Sequence, residues 1–358
     1  MKIVTVVGAR PQFIKAAAVS RVICGDYADR VQEVLVHTGQ HYDSNMSQVF
    51  FDELGIPAPK HHLEISGGGH GAMTGRMLQA LETVLEQEKP DWVLIYGDTN
   101  STLAAALAAV KMHIPVAHVE AGLRSFNMRM PEEVNRIVAD RVSTLLFCPT
   151  QVAVDNLRSE GVTAGVHLVG DVMFDVSLYY RDLARRSSDA LQRHGLAEGN
   201  YVLTTCHRAE NTDDLVRLEA ILRALGDVAE KLPVLLPLHP RTRNIVAARG
   251  LEAALGKVRI VEPLSFRDMV RLEQSAKVVL TDSGGVQKEA FFYEVPCVTM
   301  RDETEWTETV DLGWNQLVGA DRAKIVAAVL GAARPAGAAS RPYGDGAASQ
   351  AIIEQLLG

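Results

Sequence analysis

Several features that mark specialised proteins are scarce in this chain. It has four cysteines among 358 residues and no C-x-x-C pair, a pattern that favours reduced thiols over a disulfide framework or a zinc site. No apolar run approaches the roughly 18 to 20 residues that cross a bilayer. Because the chain starts at once with an apolar strand and no charged leader, we expect a cytoplasmic protein.

The chain has no excess of positive charge, since 36 lysines and arginines stand against 44 aspartates and glutamates. The formal net charge is −8, whereas phosphate backbones and anionic membrane surfaces select basic faces. The composition therefore argues against a nucleic-acid partner and against a membrane-surface partner. An anionic ligand would have to bind in a local positive pocket.

Common catalytic motifs are absent as well. There is no G-x-S-x-G elbow of the α/β-hydrolases, and the first glycine turn is not the G-x-G-x-x-G dinucleotide fingerprint. Four histidines near the N-terminus lack the E-x-x-H or H-x-H spacing of a metal site. We expect no metal, and we interpret these four as loop residues: His41, His61, His62 and His70.

Short β-branched runs alternate with longer amphipathic segments along the whole chain. Continuous apolar strands separated by helices are typical of parallel β-α units. We predict an α/β protein with two Rossmann-like, doubly wound parallel-sheet domains facing across a cleft. The predicted strands are 3–7, 33–37, 92–96, 115–119, 144–148 and 166–170, then 201–205, 233–237, 257–261, 277–281 and 296–300.

The rhythm of these runs also predicts the domain boundaries. We expect an N-terminal domain over 1–170 and a C-terminal domain over 171–344, with a last helix within 345–358 that packs back on the first domain. In such sheets ligands bind outside the carboxyl ends of the strands. Candidate site residues are therefore sought in the loops that follow each strand.

The densest group of charges follows the strand 115–119. Residues 120–136 hold three carboxylates and three arginines, and such a cluster can move protons while guanidinium groups hold an anionic substrate. Pro131 suits a helix start, and Glu132 and Arg136, four residues apart, would then share one helix face. The alternative is a solvated, salt-bridged helix start.

Two other turns of the first domain carry polar groups. Gly8 opens a turn with Arg10, Pro11 and Lys15 after the first strand, and Asp98 follows the strand 92–96. Arg10 and Lys15 add positive charge near a helix N-terminus, where anions bind. Asp98 is either a catalytic carboxylate or the cap of a helix that starts at Thr99.

The second domain repeats this arrangement. Ser283, Gly284 and Gly285 follow the strand 277–281 and would expose backbone N–H groups at a helix N-terminus, a ready anion site. Glu289 lies further along that helix and could bind a ribose. A simple helix cap at Asp282 or Ser283 is the alternative. Two histidines, His207 beside Arg208 and then His239, stand at the carboxyl ends of two strands.

Taken together, the motifs resemble those of the non-hydrolysing UDP-N-acetylglucosamine 2-epimerase family. The segments GARPQFIK, HTGQH, GDTNST, HVEAGLRSFNMRMPEEVNR, TCHRAENTDD, PLHPRT and TDSGGVQKEA fall in the family's order across residues 8–290. The resemblance implies the GT-B fold and reversible inversion at C2 of a UDP-activated N-acetylated sugar, without NAD or a metal. Relatives also suggest a homodimer, in a pathway to cell-surface polysaccharide.

The resemblance also implies roles for particular residues. Its catalytic carboxylates match Asp98, Glu120 and Glu132, and its important histidine matches His207. Residues that hold the diphosphate or sugar match Arg10, Lys15 and Arg136, and the UDP site matches Ser283, Gly284, Gly285 and Glu289. Positions at which some bacterial relatives bind a second, activating UDP-sugar match Gln40, Arg76, Arg208 and His239.

Departures from the commoner family members bear on the sugar. At Gly170-Asp171, Gln287-Lys288-Glu289 and SFNMRMPEE, the sequence is more similar to the branch that acts on UDP-2,3-diacetamido-2,3-dideoxyglucuronic acid, an O-antigen precursor. A uronate needs a cation, for which Arg129 is a candidate. The remaining alternatives are a GT-B glycosyltransferase, a non-catalytic nucleotide-sugar sensor and a hydrolysing epimerase.

Overall fold

The computed structural model describes residues 1–40, 51, 56–238, 240–336 and 341–358. Backbone contacts divide the chain into two compact units. The first comprises Met1–Val176 with Arg341–Gly358, and the second comprises Ser177–Ser340. Within the described ranges, no helix combines the length and the apolar character needed to cross a membrane.

The first unit is built on a seven-stranded parallel sheet. Its strands are mostly buried β-branched runs, as expected for a sheet covered by helices on both faces. The bounds are β1 (Lys2–Val7), β2 (Gln32–His37), β3 (His61–His62), β4 (Trp92–Tyr96), β5 (Val116–Val119), β6 (Leu145–Cys148) and β7 (Val166–Leu168). The strand order is β3-β2-β1-β4-β5-β6-β7, so the order reverses between β1 and β4, where doubly wound sheets bind their ligands.

Helices cover this sheet, and the last one returns to it from the end of the chain. The bounds are α1 (Arg10–Asp26), α2 (His70–Glu88), α3 (Asn100–Lys111), α4 (Pro131–Val142), α5 (Gln151–Ser159) and, from the C-terminus, α15 (Ala348–Leu357). Helix α6 (Val172–Ser187) begins in this unit and continues into the second one. The final helix α15 packs on α1. Its first turn is tied to α6, because the N–H groups of Ala348 and Ser349 donate to the carboxylate of Asp175.

The second unit has a six-stranded parallel sheet of order β10-β9-β8-β11-β12-β13. Its strands are β8 (Val202–Thr205), β9 (Val234–Pro237), β10 (Arg259–Val261), β11 (Val278–Thr281), β12 (Cys297–Thr299) and β13 (Asn315–Leu317). Its helices are α7 (Ala190–Arg193), α8 (Ala209–Thr212), α9 (Leu215–Ala229), α10 (Pro240–Ala248), α11 (Phe266–Glu273), α12 (Gly284–Phe292), α13 (Thr307–Asp311) and α14 (Arg322–Gly331), with a 3-10 turn at Glu252–Leu255. Leucine and valine side chains of β8, β9 and α9 form its core.

The predicted fold class, two doubly wound parallel α/β units, is confirmed. The loop interpretation of three histidines was wrong. His61 and His62 form β3, and His70 is the first residue of α2; His41 lies outside the described residues. A two-residue edge strand is too short to show an apolar pattern, which is why the sequence missed it. All four cysteines are free thiols, three of them buried.

Candidate active site

The carboxyl ends of β1, β4 and β5 lie side by side in the first sheet. Each of these strands is followed by a segment that the sequence singled out. The turn at Gly8 follows β1, Gly97 and Asp98 follow β4, and Glu120 follows β5. Because neighbouring parallel strands end at the same edge, the three segments converge there.

Asp98 is bound by an arginine from α4. Arg136 Nη2 donates to Asp98 Oδ2, and Arg136 Nη1 donates to Glu133 Oε2 at 2.6 Å. The Asp98 carbonyl accepts from the side-chain amide of Asn135 at 2.9 Å. The helix cap beside Asp98 is instead Thr99, whose hydroxyl accepts from the N–H of Thr102. Asp98 is thus held in an ion pair and does not cap α3.

Glu120 is bound by a lysine from α1. Lys15 Nζ contacts Glu120 Oε2 in an ion pair whose side chains are 14% and 7% exposed. Glu120 has a φ of +72°, a left-handed conformation that is uncommon for a residue with a Cβ and clusters at functional sites. The backbone turn therefore directs this carboxylate to Lys15 at the sheet edge.

The surroundings of Asp98 shift its pKa. Burial raises the pKa of Asp98, and the nearby Glu120 adds to this rise, while Arg136 and Lys15 act in the opposite direction. A carboxylic acid with a raised pKa can exchange a proton near neutral pH more readily than an ordinary aspartate. Two carboxylates with two cations at one edge therefore combine proton-transfer groups with an anion-binding charge.

A pocket of about 200 Å³ opens at this edge. Its wall contains three of the predicted residues, Lys15, Asp98 and Glu132, and the candidate activator residue Gln40. Glu132 is exposed on the first turn of α4. His70, which was not predicted to be a site residue, also lines the pocket, and its Nδ1 lies 3.2 Å from the side-chain amide nitrogen of Asn100.

Two side chains that the sequence did not single out hold this edge together. Gln12 is buried: its carbonyl oxygen accepts from the N–H groups of Gly8 and Ala9, and its amide donates to Tyr96 O at 2.7 Å. Glu133 accepts from the loop before α4. An i, i+3 spacing to Arg136 could have indicated Glu133, but the exposed Glu132 has the equally plausible i, i+4 spacing.

In the second unit, the turn after β11 meets the turn after β8. Ser283 is the N-cap residue of α12, but its side chain makes no capping hydrogen bond. The buried Asp282 instead accepts from the N–H groups of His207 and Arg208 at 3.0 Å. His207 is 45% exposed, with Nδ1 3.5 Å from Asp282. The structure thus brings His207 next to the Ser283 turn.

The first turn of α12 is crowded by an acidic side chain. A Cβ on Gly284 would lie 2.5 Å from Glu305 Oε1, so the Glu305 carboxylate lies close to the Cα of Gly284. Gly285 is exposed, and Glu289 is half-buried on the same helix. Burial, and after it the neighbouring Glu289, raises the pKa of Glu273 well above its ordinary value.

The remaining predicted residues lie at other positions. Arg10 is the first residue of α1 and is half-buried, and Arg76 donates to the carbonyls of Ser66 and Gly67. Arg129 is exposed in the loop before α4. His239 lies outside the described residues. Within the described ranges, no group of three metal-ligating side chains converges.

Two parallel-sheet units and a carboxylate-rich sheet edge define an α/β enzyme of the GT-B type. The sequence model of the family described as UDP-N-acetylglucosamine 2-epimerase matches residues 26–357. A UDP-2,3-diacetamido-2,3-dideoxy-D-glucuronate 2-epimerase from Pseudomonas aeruginosa is 53% identical over 99% of both chains. A UDP-N-acetylglucosamine 2-epimerase from Methanocaldococcus jannaschii is 40% identical over 99% of both chains.

Solved structures agree. The Methanocaldococcus jannaschii enzyme in complex with UDP-GlcNAc and UDP superimposes with a TM-score of 0.90 at 40% identity, covering 100% of this chain and 99% of that one. The Neisseria meningitidis enzyme bound to UDP-GlcNAc gives 0.87 at 30% identity over 100% of both chains. The chain belongs to the UDP-N-acetylglucosamine 2-epimerase family, and it is accordingly an isomerase.

Proposed function

We propose that the protein reversibly inverts C2 of a UDP-activated N-acetylated hexose, with UDP-N-acetylglucosamine and UDP-N-acetylmannosamine as the pair. A base removes the C2 proton as UDP leaves C1, which gives a bound 2-acetamidoglucal. Protonation of the opposite face and re-addition of UDP complete the inversion. The observation that carries the proposal is the pair of carboxylates, Asp98 and Glu120, each held by a cation at one sheet edge.

Proton transfer on two faces of one carbon requires at least two positioned acid or base groups. Asp98, Glu120 and Glu132 are the proposed set, and the raised pKa of Asp98 suits a group that both accepts and donates. Lys15 and Arg136 are proposed to stabilise the departing diphosphate, because fixed cations act strongly at low dielectric. Arg10 is a third such cation.

In the second unit, Ser283, Gly284, Gly285 and Glu289 are proposed to bind UDP, and His207 to assist the departing phosphate. The lack of a capping hydrogen bond from Ser283 supports this, since its hydroxyl remains available at the helix N-terminus. Gln40, Arg76, Arg208 and His239 remain proposed contacts for a second, activating UDP-sugar. Gln40 lines the pocket of the first unit.

A second candidate substrate has its own support. The relative that acts on UDP-2,3-diacetamido-2,3-dideoxy-D-glucuronate is 53% identical over nearly the whole chain. A uronate carries an additional carboxylate, and Arg129 is the proposed cation for it. If this sugar is preferred, Arg129→Gln should raise KM for the uronate and leave turnover of UDP-N-acetylglucosamine unchanged.

The test is turnover of each sugar in heavy water, followed by NMR. Deuterium at C2 and formation of the C2 epimer support the proposal, and Asp98→Asn and Glu120→Gln should abolish both while UDP still binds. Unlabelled sugar in every case would overturn it. Transfer of the sugar to an acceptor would indicate a glycosyltransferase. Accumulation of free UDP would indicate a hydrolysing epimerase, and binding of the UDP-sugar without turnover would indicate a sensor.

We also propose a cytoplasmic homodimer that supplies a precursor for cell-surface polysaccharide. Free, mostly buried thiols are typical of a reducing compartment. Light scattering after size exclusion tests the dimer, and a mass of one chain would contradict it. Fractionation tests the compartment.

A further inference from the structure

The residue that precedes Asp98 is held on both sides by β5. His118, in β5, is fully buried, and its Nε2 lies 2.7 Å from the carbonyl oxygen of Gly97. The N–H of Gly97 donates to Val119 O at 3.0 Å. Gly97 has a φ of +61°, where glycine turns freely. These two hydrogen bonds therefore restrict a joint that is otherwise flexible.

The other ring nitrogen of His118 faces a buried carboxylate. Nδ1 lies 2.7 Å from Asp140 Oδ1, and Asp140 Oδ2 accepts from Arg124 Nη1 at 2.7 Å. Burial opposes ionisation of Asp140, but hydrogen bonds from His118 and the charge of Arg124 hold its pKa below the ordinary value. A carboxylate and a carbonyl can only accept. Both ring nitrogens must therefore carry hydrogen.

Alternating charges make a buried imidazolium possible here. Arg124 also forms a two-fold contact with Glu160, at 2.7 and 2.8 Å. The sequence of groups is Glu160, Arg124, Asp140 and His118, with no net charge when His118 is protonated. The last three side chains are at most 1% exposed, and buried charges are tolerated only when they are paired.

We propose that the doubly protonated His118 is a positioning residue of the epimerase: it fixes the Gly97–Asp98 peptide so that the Asp98 carboxylate stays against Arg136. That peptide plane contains the Gly97 carbonyl, so turning it would rotate the backbone of Asp98. Asn135 and Arg136 hold Asp98 beyond this peptide. The proposal rests on the proposed function, because the role of Asp98 belongs to it.

Two isosteric variants separate the two contacts of the ring. In His118→Asn the amide nitrogen replaces Nδ1 and can still donate to Asp140, whereas in His118→Gln it replaces Nε2 and can still donate to Gly97. Both variants lose the positive charge. A displacement of about 1 Å can lower a rate on the order of 10²-fold. We expect such a fall in kcat for His118→Asn, with KM and UDP affinity little changed, while His118→Gln keeps most of its kcat.

His167→Gln, in β7 of the same sheet, is the matched control and should leave kcat unchanged. An equal loss in both His118 variants, or full kcat in His118→Asn, would overturn the positioning role. The amide NMR signal of Asp98 gives a reading that needs no turnover. It should move in His118→Asn and stay in place in His118→Gln, and the reverse pattern would also overturn the proposal.

The protonation state is measured on the wild type. Nitrogen-15 NMR of labelled histidine, at the pH of the activity assay, should show hydrogen on both His118 ring nitrogens, because both face acceptors. A bare ring nitrogen would overturn the proposal. If the wild type exchanges no C2 proton on any sugar, the proposed function fails, but these NMR measurements still decide the state and the effect of His118.

Discussion

The loop before α4 is anchored by one carboxylate, and replacing it gives a measurable prediction. Glu133 Oε2 accepts from the N–H and the hydroxyl of Ser125, both at 2.9 Å, and from Arg136 at 2.6 Å. Glu133 Oε1 accepts from the N–H of Phe126 at 3.0 Å. In Glu133→Gln an amide nitrogen must replace one oxygen, and at Oε1 it would face the N–H of Phe126, donor against donor.

The expected cost follows from this count. Hydrogen bonds to a charged group contribute about 1.5–3 kcal/mol each. The variant loses at least one of four, and the other three lose the charge of their acceptor. We therefore expect local opening of the loop to become about 2–4 kcal/mol easier, and, since about 1.4 kcal/mol is tenfold, exchange of the two loop amides to accelerate on the order of 10²-fold.

Hydrogen exchange of the Ser125 and Phe126 amides measures this effect directly. Glu132→Gln, a change of the neighbouring exposed carboxylate, is the control and should leave both rates unaltered. Equal exchange in Glu133→Gln and wild type would refute the anchoring role.

The pKa of Glu133 is lowered because the donors from Ser125, Arg136 and Phe126 outweigh the effect of burial. Its stabilisation is therefore present above about pH 4.3, the unfolded value, and is lost as pH falls through the folded pKa.

Three further predictions concern the first unit. Lys15→Met removes the cation of a buried ion pair and should lower the free energy of unfolding in urea by about 3–5 kcal/mol. The double variant Lys15→Met with Glu120→Gln should recover most of this loss, and equal losses in the single and double variants would refute the pairing. A Cβ on Gly8 would lie 2.1 Å from a serine hydroxyl, so Gly8→Ala should lower the free energy of unfolding by about 1–3 kcal/mol. The control Gly71→Ala, where a Cβ meets no neighbour, should be neutral or slightly stabilising. Equal melting temperatures of the two variants would contradict this prediction. Hydrogen bonds from two lysines and a histidine lower the pKa of Glu88 to about 2. The stabilisation by ionised Glu88 is lost as pH falls below about 4.3. The difference in melting temperature between wild type and Glu88→Gln should therefore become smaller in acid. A difference that does not change with pH would show that the charge of Glu88 is not its cause.

The sequence predicted most of the two sheets. Each of the eleven predicted strands is a strand in the structure, to within two residues at either end. Buried parallel strands must be apolar on both faces, so they stand out as β-branched runs. The two missed strands, His61–His62 and Asn315–Leu317, are edge strands of two and three residues. Too few positions are buried in them to form a pattern.

The placement of the candidate site at the sheet edge could also be predicted, but the ion-pair partners of its carboxylates could not. Asp98 and Glu120 were expected at the carboxyl ends of strands, because a parallel sheet brings those ends to one edge. Their cations come from α1 and α4, at a sequence distance of 105 residues for Lys15 and 38 residues for Arg136. No local spacing reports such contacts.

The sequence by itself determined the family, the alternation of strands and helices along the chain, and the residue types at the sheet edge. Local apolar patterns and the order of the motifs encode these features. The tertiary structure alone decided which carboxylate meets which cation, why Glu133 and not Glu132 binds Arg136, and that His118 lies between Asp140 and the carbonyl of Gly97. Hydrogen bonds and ion pairs depend on angles and distances of a few ångströms. Those are set by how helices pack on the sheet.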